Sequence, residues 1–321
     1  MLSRSRLIVV VAPLVAVALL AACGGEVSLR PPESSADTIT PLLTAPDTTE
    51  QATIGETTPE DAPGTAAPTT APGVATESSV TSTTVAPQVG DEPVAIGYEV
   101  VEERPHDTAA FTQGLVFDDG ELWESTGQYE RSELRQLDPV TGEVVRSEPL
   151  GDELFGEGLA LIDDHFIQLT WQAGRALVWD RATMARVDAH SYEGEGWGLC
   201  HDGERLVMSD GSDRLTFRDP TTFEVTGSVA VTVRGAPLNQ LNELECIDGE
   251  VWANVWQTDH IVRIDPTTGV VTGTLFLGEI RPDVTLDGAV LNGIAYDETT
   301  GHFLVTGKYW PTLFVLELSE G

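Results

Sequence analysis

From residue 94 to the end of the chain, short runs of alternating or β-branched apolar residues are each closed by an Asp-Gly, Thr-Gly or Asp-Pro step. No stretch carries apolar residues at helical spacing. A period of two residues turns one face of each run into a core and the other toward solvent, so the chain reads as all-β. Three turns share one chemistry: Asp138-Pro139-Val140-Thr141-Gly142, Asp219-Pro220-Thr221-Thr222 and Asp265-Pro266-Thr267-Thr268-Gly269. Proline presets the second turn position and glycine takes a positive φ near the end, which predicts a hairpin between the outer strands of a repeated unit.

Five segments repeat: Phe111-Thr112-Gln113-Gly114-Leu115, Phe155-Gly156-Glu157-Gly158-Leu159, Gly196-Trp197-Gly198-Leu199, Leu241-Asn242-Glu243-Leu244 and Leu291-Asn292-Gly293-Ile294. Counting back two from each terminal apolar residue gives Gln113, Glu157, Trp197, Asn242 and Asn292, spaced 44, 40, 45 and 50 residues. Those intervals suit a propeller repeat and exceed the ~33–34 residues of helical repeats. The last copy is one strand short, and the run Val94 to Val101 before the first repeat can supply it. The pattern predicts a five-bladed β-propeller closed by an N-terminal strand that completes the last blade, which removes a free sheet edge.

Matched positions on the inner strands of such a ring converge on one mouth. The ends of the second strands add Gly127, Trp171, Gly211, Trp256 and Lys308. Lys308 is the only lysine beside sixteen arginines, so it serves where a guanidinium would not, or else is a solvated edge charge. Trp171, Trp197 and Trp256 stand at strand ends and suit a binding wall, whereas Trp123, Trp179 and Trp252 fall mid-strand and are assigned to core. Glu157 lies between Gly156 and Gly158 beside Phe155. Narrow backbone would admit a ligand, and apolar surroundings would raise the carboxyl toward the range useful for proton transfer. The same tripeptide recurs at Gly194-Glu195-Gly196, so only the ring of matched positions singles out Glu157.

Composition divides the chain into three. Residues 1–23 carry Arg4 and Arg6, an apolar run and Leu20-Ala21-Ala22-Cys23, which resembles a bacterial lipobox with Cys23 as the lipidated residue. Residues 24–91 lack aromatics and are dominated by Thr, Pro, Ala and Ser, the composition of a disordered stalk. Residues 92–321 suffice for one domain with a full core and hold 14 basic and 42 acidic side chains, a charge of −28. That field repels nucleic acid, favours solubility and mildly attracts a peptide's free amino end. The expected location is the outer face of the cell membrane, held only by the lipid, as a monomer. Cys200 and Cys246 follow the matching leucines of adjacent repeats; an exported chain allows a bridge, and two buried thiols fit equally. No nucleophile elbow, phosphate loop or metal-ligand spacing of the six histidines is present.

Pro105-His106-Asp107, Phe111-Thr112-Gln113-Gly114-Leu115 and Glu124-Ser125-Thr126-Gly127 resemble the plant-type (papaya-type) glutaminyl-peptide cyclotransferases, also called glutamine cyclotransferases. The likeness runs in order through Phe155-Gly156-Glu157-Gly158, Glu195-Gly196-Trp197-Gly198-Leu199, Leu241-Asn242-Glu243-Leu244-Glu245 and Thr306-Gly307-Lys308-Tyr309-Trp310-Pro311, over essentially all of 92–321. It implies a five-bladed propeller that turns the N-terminal glutamine of peptides or proteins into 5-oxoproline with release of ammonia, without zinc. It also implies a pocket of Phe111, Gln113, Phe155, Glu157, Trp171, Trp197, Asn242, Trp256 and Lys308, with Glu157 as acid/base. No cofactor is required on this reading; a Ca²⁺ held by carboxylates or carbonyls on the axis is compatible, but no residue pattern marks one. The rival reading is a non-catalytic surface propeller that binds peptide or glycan through its aromatic rim.

Overall fold

The computed structural model describes residues 92–320. The expected leader (1–23, with Cys23) and stalk (24–91) lie outside the described residues. Within them the chain is all-β, without helix. The first sheet orders β2 (Thr112–Asp118), β3 (Glu121–Thr126), β4 (Glu133–Leu137) and β5 (Val144–Pro149) side by side. The second orders β6 (Gly156–Ile162), β7 (His165–Thr170), β8 (Arg175–Asp180) and β9 (Arg186–Ser191). The third orders β10 (Leu199–His201), β11 (Leu206–Met208), β12 (Arg214–Arg218) and β13 (Val225–Ala230). A small hairpin, β14 (Thr232–Val233) with β15 (Ala236–Pro237), follows.

The remaining strands share one eight-stranded sheet. One half holds β16 (Leu241–Ile247), β17 (Glu250–Val255), β18 (His260–Ile264) and β19 (Val271–Phe276). The other holds β20 (Leu291–Asp297), β21 (His302–Gly307), β22 (Thr312–Glu320) and β1 (Val94–Pro105). The N-terminal strand completes the last half as expected, antiparallel to β22 from Ile96↔Glu320 to Pro105↔Thr312. It also runs parallel to β19 at Val94↔Gly273 and Ile96↔Leu275, a second junction that no pattern in the chain foretold.

The first strands neighbour one another in a closed cycle, β2 to β6 to β10 to β16 to β20 and back to β2. Apolar layers lie between successive sheets: Trp123 and Trp179 are buried with Phe166 between the first two, and Trp252 packs edge-on against Phe303 within the eight-stranded one. The mid-strand tryptophans are therefore core. The Asp-Pro turns join third to fourth strands, and Asp138, Asp219 and Asp265 each accept two backbone N–H bonds across them. Gly142 and Gly269 take the positive φ, but in the second and third sheets Met184 and Phe223 do so. Both side chains are buried in the core, which offsets the strain of the left-handed backbone.

Four first strands carry one extra residue against their partner: between Thr112 and Gly114, Gly156 and Leu159, Leu241 and Leu244, and Leu291 and Ile294. Such a bulge re-aims a side chain out of the ladder's alternation. The residues it re-aims include Gln113, Glu157, Asn242 and Asn292. Trp197 occupies the equivalent place just before β10, with its N–H on the Ser209 carbonyl at 3.0 Å. Glu243, buried beside Asn242, ties the centre together: its carboxylate accepts Leu115 N–H at 3.3 Å and Ile294 N–H at 2.8 Å. Cys200 and Cys246 form a disulfide between β10 and β16, with Cα atoms 5.5 Å apart.

Candidate active site

The bulges and second-strand ends bring the matched residues to one place. Gln113, Glu157, Asn242 and Lys308 are all buried there. An aromatic wall runs around them. Phe155 packs edge-on against Phe111 at 5.9 Å, Trp171 at 5.6 Å and Tyr129 at 5.4 Å, while Trp197 meets Trp256 at 5.4 Å. Tyr309 extends the wall beside Phe111 at 5.2 Å. Gly127 and Gly211, at matched second-strand ends, make room for it: a Cβ on Gly127 would overlap the Phe155 ring, and one on Gly211 would lie 2.7 Å from the Trp197 ring.

The glycines around Glu157 act differently from expectation. A Cβ on Gly158 would come within 2.6 Å of the Gly198 carbonyl carbon, and Gly158 N–H donates to the Trp197 carbonyl at 2.7 Å. They admit the neighbouring strand rather than a ligand. The close approach of adjacent first strands explains the glycine requirement.

Burial drives the electrostatics. The Glu157 carboxyl is held well above the usual range by desolvation; Lys308 pulls it back and the charge of Glu195 pushes it further up. Lys308 is pushed down to about 8 by burial, against the stabilising charge of Glu157. Its Nζ sits 4.6 Å from the Phe111 ring centre. The Glu157 carboxyl, the Asn242 amide and Lys308 Nζ make no hydrogen bond among the described residues. Gln113 is fixed instead: its Oε1 accepts from Asn292 Nδ2 at 3.1 Å. Among the described residues no group of three or more His, Cys, Asp or Glu side chains is placed to hold a metal.

A second buried network braces the site. His106 Nδ1 faces the Trp310 carbonyl at 2.8 Å and its Nε2 faces Glu124 Oε1 at 3.1 Å. Both partners are acceptors, so the ring is an imidazolium, and its proton affinity is raised by Glu124 against the opposing effect of burial. Glu124 also accepts Thr112 Oγ1 at 2.7 Å. The pair clamps the segment that carries Gln113 to the turn that carries Lys308.

Residues 73–318 match the family described as glutamine cyclotransferase. The chain belongs to the glutamine cyclotransferase family. It is 40% identical over 228 residues to a glutaminyl-peptide cyclotransferase of Arabidopsis thaliana, covering 69% of this chain and 71% of that one. A crystal structure of Myxococcus xanthus glutaminyl cyclase superposes with a TM-score of 0.68 at 42% identity, over 72% of this chain and 100% of that one.

In this glutamine cyclotransferase ring contacts, hydrogen bonds and charge link Phe111, Phe155, Glu157, Trp171, Trp197, Trp256 and Lys308, Gln113 lies beside Phe155 next to Gly127, and Asn242 is buried on β16. Three participants, Glu195, Tyr129 and Tyr309, escaped the reading of the site. Glu195, set aside as a chance tripeptide, accepts the indole N–H groups of Trp171 at 2.8 Å and Trp197 at 3.0 Å. Asn292 was a matched position, but its grip on Gln113 depends on the contact of β20 with β2. Tyr129 and Tyr309 enter from loops. The signal available for Glu195 was its place two residues before a wall tryptophan.

Proposed function

We propose that this chain is a glutaminyl-peptide cyclotransferase that converts the N-terminal glutamine of a peptide or protein into 5-oxoproline and ammonia. The single observation that carries the reading is a buried carboxyl group of raised proton affinity, Glu157, opposed by the lone lysine and walled by aromatics. We read the cycle of first strands as the axis of a five-bladed propeller, with Glu157 and its neighbours at one mouth.

The neutral α-amine attacks the side-chain amide carbon of its own residue, forming the C–N bond of the lactam. The attacking nitrogen becomes cationic and the amide oxygen anionic. Glu157 enters as carboxylate, takes a proton from that nitrogen and returns it to the departing NH₂, which leaves as ammonia when its C–N bond breaks. A carboxyl group whose proton affinity is raised by burial can do both steps. Gln113, Asn242 and Lys308 supply donors for the anionic oxygen. Phe111, Phe155, Trp171, Trp197 and Trp256 fold the glutamine side chain back over its amine, the geometry ring closure needs. Every step is carried by protein groups, so the reaction proceeds without zinc. The leader and stalk fit a lipid anchor at Cys23 that holds the enzyme on the outer face of the membrane.

The test is ammonia release from a short peptide beginning with glutamine. Wild type should turn over in the presence of a zinc chelator, and Glu157→Gln should lose about 10²–10⁴-fold in kcat with KM little changed. A well-folded wild type with no turnover would leave the peptide-binding propeller as the better reading.

A further inference from the structure

We infer that Glu195 is a positioning residue of this site: one of its carboxylate oxygens aligns the indoles of Trp171 and Trp197, and its charge stands beside Glu157. The inference rests on the reading of the site given above. Both indoles donate to the same atom, Oε2, at 2.8 Å and 3.0 Å, and Gln172 Nε2 donates to Oε1 at 2.9 Å. Trp171 follows β7 and Trp197 precedes β10, so one side chain sets the wall across the junction of two sheets. Gly196 N–H donates to the Trp171 carbonyl at 3.0 Å, which holds the Glu195 segment against that tryptophan.

Packing alone does not demand this arrangement. The core tryptophans Trp123, Trp179 and Trp310 leave their buried Nε1–H groups without a partner. Two of the three indoles that line the site, Trp171 and Trp197, have found one, and it is the same atom. An indole N–H can only donate, and the Glu195 oxygens take three such donors, two indoles and one amide. Glu195 places a second negative charge beside Glu157, opposite in effect to Lys308. The other groups in this field are Tyr192, whose phenol is locked to the Thr170 carbonyl, and Arg218 beyond it.

Two substitutions separate geometry from charge. Glu195→Gln keeps an oxygen for both indoles and offers its amide nitrogen to a flipped Gln172, so the wall persists while the charge goes. We expect an unchanged KM for a glutamine-starting peptide. The acidic limb of the kcat profile should move down by about one pH unit, because Glu157 ionises more easily without a like charge nearby. Glu195→Ala removes the acceptor too, and KM should rise about tenfold or more with the same shift of the limb. An unmoved pH profile in Glu195→Gln, or a KM raised there as far as in Glu195→Ala, overturns the inference. Should Glu195→Ala fail to fold by thermal melting, the profile of Glu195→Gln decides alone. Inactive wild type would instead sink the function on which the inference rests.

Discussion

Breaking the Cys200–Cys246 bridge gives a stability test whose size follows from the chain itself. The bridge closes a loop of sequence separation 46. In the chain-entropy description, constraining a loop of that length removes about 13.5 cal/mol/K from the unfolded ensemble, about 4 kcal/mol at 25 °C. For a domain of this size, each kcal/mol moves Tm by about 2–4 °C, so reduction should lower Tm by roughly 8–16 °C. Thermal melts followed by circular dichroism, with and without reductant, measure this directly. The Cys200→Ala/Cys246→Ala double variant should melt near the reduced wild type. Cys200 lies three residues after Trp197 and Cys246 four after Asn242, so the bridge joins two segments that each carry a site residue. Activity at 25 °C should survive reduction, while the temperature of inactivation follows Tm downward. Coincident melts of oxidised and reduced protein would refute the reasoning.

Lys308→Met removes the charge that favours ionised Glu157, so the acidic limb of kcat should shift to higher pH, opposite to Glu195→Gln; a shift downward would contradict the assigned pair. Gly158→Ala would drive a Cβ into the Gly198 backbone and should cost about 3 kcal/mol in urea unfolding, and a neutral result would show that the first strands can move apart. Wild-type stability should peak on the mildly acidic side. Glu157 and Glu243 are held above their unfolded values and His106 is raised, so each contribution is complete below its unfolded pKa and fades as pH rises through the folded one. Glu124 and Asp107 are depressed, so theirs is lost as pH falls below the carboxylate range. Urea midpoints from pH 4 to 9 check this, and a maximum near pH 9 would contradict it.

Most of the fold was legible because its determinants are local. Asp138, Asp219 and Asp265 announce their hairpins through side chains that bond within three residues, and the short last repeat asked for a strand that Val94 to Val101 supplies. The recurrence of Gln113, Glu157 and Asn242 before a buried apolar residue marked the site because a repeat is a local signal multiplied. What stayed hidden depends on pairs far apart in the chain. Nothing near Val94 names Gly273 as its partner, and Asn292 meets Gln113 only where the last first strand packs on the first. Gly158 was read as an opening for a ligand because sequence shows that space is needed and not what fills it. Glu195 was discounted because its value lies in two indoles that only the packing of adjacent sheets brings to one oxygen.

The extra residue in each bulged strand has a consequence for how this scaffold can change. A side chain in a regular ladder is bound to its neighbours: replacing it disturbs a cross-strand pair, and shifting it turns the following apolar residue out of the core. At 113, 157 and 242 the inserted residue uncouples the polar side chain from that constraint, while Leu115, Leu159 and Leu244 behind it keep the sheet in step. These positions behave as interchangeable sockets on a rigid mount. The same frame could accept a different set of donors and acids at the same three places and recognise another chemical group without having to fold anew.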